Sequence, residues 1–239
     1  MALALCRQLR SYLGMRAVLF LILALAACGR PLTPLETAYV QALQGDETDT
    51  SRVRLVDGHP GAAITHQRPA RPRLTCSERL WPAPEADMVT VQPAGMAIFN
   101  HILLRDDLYR DDFLGTLPEE IDLASAMLFA HEMTHVWQWQ NRKRTGYSPL
   151  RAASEHSQSD PYLFDEDSPA TFLNHGYEQQ GAIVEEYVCC ALLDPEAPRT
   201  ERLHAMIAEA MPMSRLDEVL EHRAVRLPWD GVEVTGICR

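Results

Sequence analysis

Residues 131–135 read His-Glu-Met-Thr-His inside Leu123–Arg144, a run with no Gly or Pro. The run is rich in Ala, Leu, Met and Gln, all good helix formers, so a helix is expected there. On a helix, positions i and i+4 share a face, which sets His131 beside His135 as two ligands for one metal ion. Two imidazoles do not complete such a centre. Hydrolytic zinc takes three protein ligands and keeps a fourth position for water. The fold is therefore constrained to bring a further side chain to this face. Glu132, next to the first histidine, is placed to take a proton from that water. The pattern points to Zn2+ as cofactor and to peptide-bond hydrolysis as chemistry, with Glu132 as the catalytic base. Its rival is a buried amphipathic helix with two incidental histidines.

The flanks support the helix. Thr116-Leu-Pro-Glu119 has the form of a capping box, and Asp122 is a second candidate cap. Arg142, Lys143 and Arg144 suit the negative C-terminal end, and Gly146 can stop the helix. Leu123, Met127, Ala130, Thr134 and Trp137 form an inward stripe, and Trp137 and Trp139 read as packing rather than as a substrate surface.

For the third ligand, Glu178 is preferred. It opens a second expected helix, Tyr177 to Leu193, and lies 43 residues past His135. Glu185 and Glu186 on the same helix are alternatives, as are His156, His175 and Glu155, the last only 20 residues past His135 but in a polar loop. Each acid could instead be solvated helix surface. Tyr147, His156, His175 and Tyr177 are candidates for steadying charge on a carbonyl oxygen.

Residues 17–27, AVLFLILALAA, form an apolar run too short to span a bilayer but suited to a signal peptide, with Arg7, Arg10 and Arg16 ahead of it. The run ends in Leu25-Ala-Ala-Cys28, which looks like a lipobox. Cys28 would then carry the lipid anchor, and Gly29 after it implies outer-membrane sorting, with the domain facing the periplasm or the outside. Met15 is a second possible start. The expected organisation is a lipoprotein signal peptide over 1–27, a tether over 28–34 and one domain over 35–239. Removing 1–27 takes away three Arg and no acid, so the formal charge of −11 becomes −14. That balance argues against nucleic acid or anionic membrane surfaces as partners; contact with membrane is through the lipid anchor only.

Four later cysteines remain, Cys76, Cys189, Cys190 and Cys238. In an oxidising compartment an even number suggests two disulfides, with Cys76 and Cys238 each taking one of the adjacent pair Cys189 and Cys190. A helix is expected over Leu35–Gln44, short strands at Val53–Val56 and Met88–Gln92, and strand character across Met96–Leu104. His59–Pro84 reads as irregular, and Thr145–Asn174 as a long ordered loop or lid. Further helices are expected over 199–210 and 214–223, then a strand within Val225–Cys238. The fold class is α+β, with a small N-terminal sheet and a mostly helical C-terminal part.

Ala130-HEMTHVWQWQ, followed by Tyr177-EQQGAIVEEY, resembles the Vgr-related proteins of proteobacteria, within a wider set of zincin-like domains linked to contractile injection systems. Leu32-Thr-x-x-Glu36, Val53-Arg-Leu-Val and Met96–Asp112 are also similar, so the resemblance covers roughly residues 32–193. It implies a zincin-like fold and a metallopeptidase assignment, with Glu178 in the third-ligand place. Gln138 and Asn141 exclude the metzincin pattern, which needs Gly and His there. Relatives with a Glu ligand often carry an Asp four residues on; Ala182 stands there, so Asp122 or Glu185 would have to orient a histidine. The implied molecule is a lipid-anchored envelope peptidase acting on a peptide or protein. The alternative is a non-catalytic lipoprotein whose zinc site is closed by a fourth ligand such as His175 and whose surface docks a cell-wall or secretion-system component. A metal-free scaffold is the third reading.

Overall fold

The computed structural model describes residues 29–157, 160–165, 168–216 and 220–239; the expected signal segment and Cys28 lie outside them. Among the described residues no helix is long and apolar enough to cross a membrane. Thr33 opens helix α1 (Pro34–Gln44) with a reciprocal cap, its side chain accepting from Glu36 N while Glu36 accepts from Thr33 N. The buried Glu36 carboxylate also takes both arms of the Arg30 guanidinium at 2.7 Å and Phe113 N at 2.9 Å. Arg30 pairs with Leu55 as an isolated β-bridge. The stretch read as a tether is thus engaged with the domain from Arg30 onward.

Three strands form the main sheet in the order β1-β5-β4. Strand β1 (Arg54–Asp57) runs parallel to β5 (His101–Leu104), and β4 (Gly95–Ile98) runs antiparallel on the other side of β5. The segment Met96–Leu104 is therefore mostly a hairpin, turning at Phe99-Asn100 with Phe99 at φ 58. Leu55 and Ile102 are fully buried on the inward face, and β4 is an edge. His59–Pro84 is more regular than its Pro and Arg content suggested. Strand β2 (His66–Pro69) pairs antiparallel with β3 (Met88–Val91), its proline confined to the strand end, and α2 (Cys76–Arg79) follows.

The motif helix is α3 (Leu123–Gln140), and its N-cap is Asp122, which accepts from Ser125 N at 2.8 Å. The Thr116–Glu119 box is not the cap. The chain bends at Asn141, adds one turn, α4 (Arg142–Thr145), and stops at Gly146 in the left-handed region. Helix α5 (Pro149–Glu155) forms inside the expected loop, α6 spans Tyr177–Leu193, and α7 spans Pro198–Ala208. The expected C-terminal strand shrinks to β7 (Val225–Arg226), parallel to β6 (Ile121–Asp122). The helix expected over 214–223 falls partly on residues outside those described.

Helices α3 and α6 make the most extensive contact between elements. Buried residues from Tyr39 to Cys238 join one apolar cluster around them, and Trp137 at its centre donates from Nε1 to Glu47 Oε2 at 2.9 Å. Two disulfides, Cys76–Cys189 and Cys190–Cys238, tie α6 to α2 and to the C-terminal segment. Cys76, Cys190 and Cys238 lie close enough for a metal, yet all are oxidised, so the sulfurs serve as staples.

Candidate metal centre

Helical geometry puts His131 and His135 on the face of α3 that meets α6. Glu178, in the first turn of α6, brings its Oε2 to 3.4 Å from His131 Nε2 and 3.3 Å from His135 Nε2; the two nitrogens are 3.2 Å apart. An ion bound at about 2.0 to 2.1 Å with tetrahedral angles holds its donors roughly 3.3 Å from one another. The triangle has that size, and its donor set of two imidazoles and one carboxylate suits such an ion. Among the described residues these three form a buried group that could hold a metal ion. Burial alone would raise the Glu178 carboxyl, but His135, His131 and His156 outweigh it and hold it far below the usual range. Burial alone would lower the His131 and His135 imidazoles. Glu178 and Glu185 raise His131 well above its ordinary value, and Glu178 likewise raises His135.

Each candidate ligand has a side chain behind it. His135 Nδ1 faces Gln138 Oε1 at 2.9 Å, which fixes Nδ1–H as donor and frees Nε2 for a metal. Gln138 Nε2 in turn donates to Tyr177 O and Gln180 Oε1, both at 3.0 Å. Glu185 Oε2 stands 3.3 Å from His131 Nδ1, as an ion-pair contact rather than a formed hydrogen bond. It thus faces the histidine that Ala182 cannot reach. His156 Nε2 is 3.1 Å from Glu178 Oε1. Glu155 is not a ligand: its carboxylate accepts from Tyr177 N at 2.9 Å and Glu178 N at 3.0 Å, capping the N-terminus of α6. Glu186 turns away to accept from Cys76 N and Ser77 N, and Asp122 is spent as a cap.

Two glycines make the approach possible. A Cβ on Gly181 would lie 2.7 Å from His131 Cε1, so only glycine lets α6 come this near the ring. A Cβ on Gly95 would lie 2.8 Å from Glu132 Oε1, which seats that carboxylate directly against edge strand β4. Glu132 is buried, and among the described residues its Oε2 has no hydrogen-bond partner. Burial, opposed by the two histidines, pushes its carboxyl above the ordinary value.

Of the candidates for a carbonyl-facing donor, Tyr177 is committed, its hydroxyl donating to Gly146 O at 2.7 Å. His175 stays outside the donor group. His156 is engaged with Glu178, and in Tyr147 burial, then Glu178 and Glu132, push the hydroxyl up to about 12. Tyr162, which the sequence did not single out, lies 5.8 Å from His131 between ring centres. Trp139 packs on Phe99 at 4.5 Å, under the Arg142 guanidinium.

No protein-family model matches this chain, and no curated protein matches it. Among solved structures it is similar to the effector domain of Pseudomonas aeruginosa VgrG2b. The two share 28% sequence identity over 76% of this chain and 85% of that one, with a TM-score of 0.49.

Proposed function

We propose that this chain is a zinc-dependent peptidase with a zincin-like fold, held by His131, His135 and Glu178 and served by Glu132. The observation that carries the reading is the donor triangle of 3.2 to 3.4 Å with a buried carboxylate, Glu132, on the residue next to the first ligand. When bound, zinc lowers the pKa of water and polarises a carbonyl. Glu132 takes the proton of the attacking water and passes it to the departing amine. Tyr147 stays protonated across the working range and donates to the carbonyl oxygen as it gains charge. Among the described residues strand β4 leaves one edge unpaired beside Glu132, where an extended peptide can add as a further strand. Acylation of Cys28 would hold the domain to the cell envelope.

A closed, purely structural zinc site would need a fourth protein ligand. Among the described residues the His, Cys, Asp and Glu donors within 4.8 Å of one another number three here, His131, His135 and Glu178. Metal analysis of purified protein should find about one zinc per chain, absent in His131→Ala. Glu132→Gln should keep the metal and the melting temperature while hydrolysis of a peptide library falls by about 10²- to 10⁴-fold. Full activity in that variant removes Glu132 from the mechanism. A hydroxamate that leaves the melting temperature of the zinc-loaded protein unmoved argues for a closed site.

A further inference from the structure

Beside the candidate metal ligands, on the face of α6 that also carries Glu178, lies a cavity of about 230 Å³. Ala182 and Glu185 line it from α6, Tyr162 from the long loop, Trp81 from the segment after α2, and Arg68 and Arg71 from β2 and its exit. Tyr162 and Glu185 also lie against His131, so one layer of side chains separates the cavity from the candidate metal centre. Ala182 matters here because a longer residue at that place on α6 would fill the space.

The charges in the wall are unequally spent. Arg71 is paired through both arms with Asp160, at 2.6 and 2.8 Å. Glu78, also in the wall, accepts from Leu74 N and Thr75 N at the start of α2, and Glu185 faces His131. Arg68 makes one hydrogen bond, from Nη1 to Pro69 O at 2.8 Å, and has no ion-pair partner among the described residues. A guanidinium carries five N–H donors in a planar fork that matches a carboxylate. Burial and the neighbouring Arg71 push Arg68 below the usual arginine value, although Asp160 and Glu78 act against them; a bound anion would oppose the shift further.

We propose that this cavity binds a carboxylate of the peptide substrate through Arg68, either an acidic side chain or a free C-terminus close to the bond presented to the metal centre. The inference rests on the peptidase reading for the identity of the ligand as substrate, but not for the existence of the site.

The test is calorimetric titration of the full chain with its metal chelated, so that binding is read without turnover. Two peptide pairs serve as probes: N-acetylated tripeptide amides with Glu or Gln at the centre, and a neutral tripeptide with a free or an amidated C-terminus. At least one acidic member should bind about tenfold or more tightly than its neutral partner, and the preference should shrink with added salt. Which pair shows it tells a side chain from a terminus. Arg68→Gln should erase the preference at unchanged melting temperature, and Arg68→Lys should restore part of it. Equal binding of acidic and neutral members, or a preference that survives in Arg68→Gln, overturns the proposal. If the preference holds but zinc-restored protein cleaves none of the peptides, the site stands and the peptidase reading falls. Cleavage with no acid preference has the reverse meaning.

Discussion

Substituting Gly181 by Ala adds one carbon where the His131 ring already stands, 2.7 Å from Cε1 and 2.9 Å from both ring nitrogens. The ring is walled by Glu185 and Tyr162 and cannot move without loosening the ligand set. Gly181→Ala should therefore weaken zinc at least tenfold in competition with a chromophoric chelator, and destabilise the fold by about 1 to 3 kcal/mol. Unchanged affinity would mean that α6 can slide at no cost. The same neighbourhood shows what single residues reveal beforehand. His131, His135 and Glu132 were legible because the helical period fixes their relation, and Glu178 because it opened a recognisable second helix. Gln138 entered the sequence reading only as a departure from a pattern. Its use, steadying His135 while donating to the Tyr177 carbonyl, depends on a contact 39 residues away that no local spacing encodes. Glu155 was weighed as a ligand because it is acidic and near in sequence; its carboxylate instead satisfies two amides at a helix start.

Among the elements, the stretch between α4 and α6 is mostly loop in its described residues, and long-range contacts fix its position. Arg71–Asp160 anchors it to the exit of β2, and Glu155 fixes it to α6. Although burial opposes it, Arg71 holds the Asp160 carboxyl below its ordinary 3.8. A carboxyl depressed in the folded state lends stability that is fully present above the unfolded value and lost as pH falls through the lower, folded one. Asp160→Asn should thus cost about 1 kcal/mol at neutral pH, this pair being partly exposed, and the gap from wild type should close as pH drops below 3.8. Denaturant melts of both proteins across pH 2 to 6 check this. A gap independent of pH would show that the ion pair is not what Asp160 contributes. Long helices were readable from composition and caps, as α3 and α6 show. Short pairings were not: β2 ends in Pro69, and β6 and β7 are two residues each, too brief to leave a period. The cap at Asp122 won over Thr116 because Ser125 N sits within its reach.

For the whole molecule the decisive arrangement is the adjacent pair Cys189 and Cys190. Successive helix positions point about 100° apart, so neighbours on α6 reach in two directions, to Cys76 and to Cys238. Each link closes a long loop, with separations of 113 and 48 residues, worth about 4 to 5 kcal/mol each by chain entropy. The sequence supplied the even count and the partition between neighbours, but the choice of partners waited on the placement of α2 beside α6. Replacing both Cys189 and Cys190 by Ser should lower the melting temperature of purified protein by 10 °C or so at least and weaken zinc, since α6 carries Glu178. Equal stability with and without the bridges would make them ornamental. Both bridges grip the helix that carries Glu178. In a reducing cytoplasm the chain would lack the means to hold that helix and, were it exported as proposed, oxidation afterwards would complete it. On the proposed reading, geography would take the part usually given to an inhibitor, keeping the peptidase idle where it is made and arming it where it arrives.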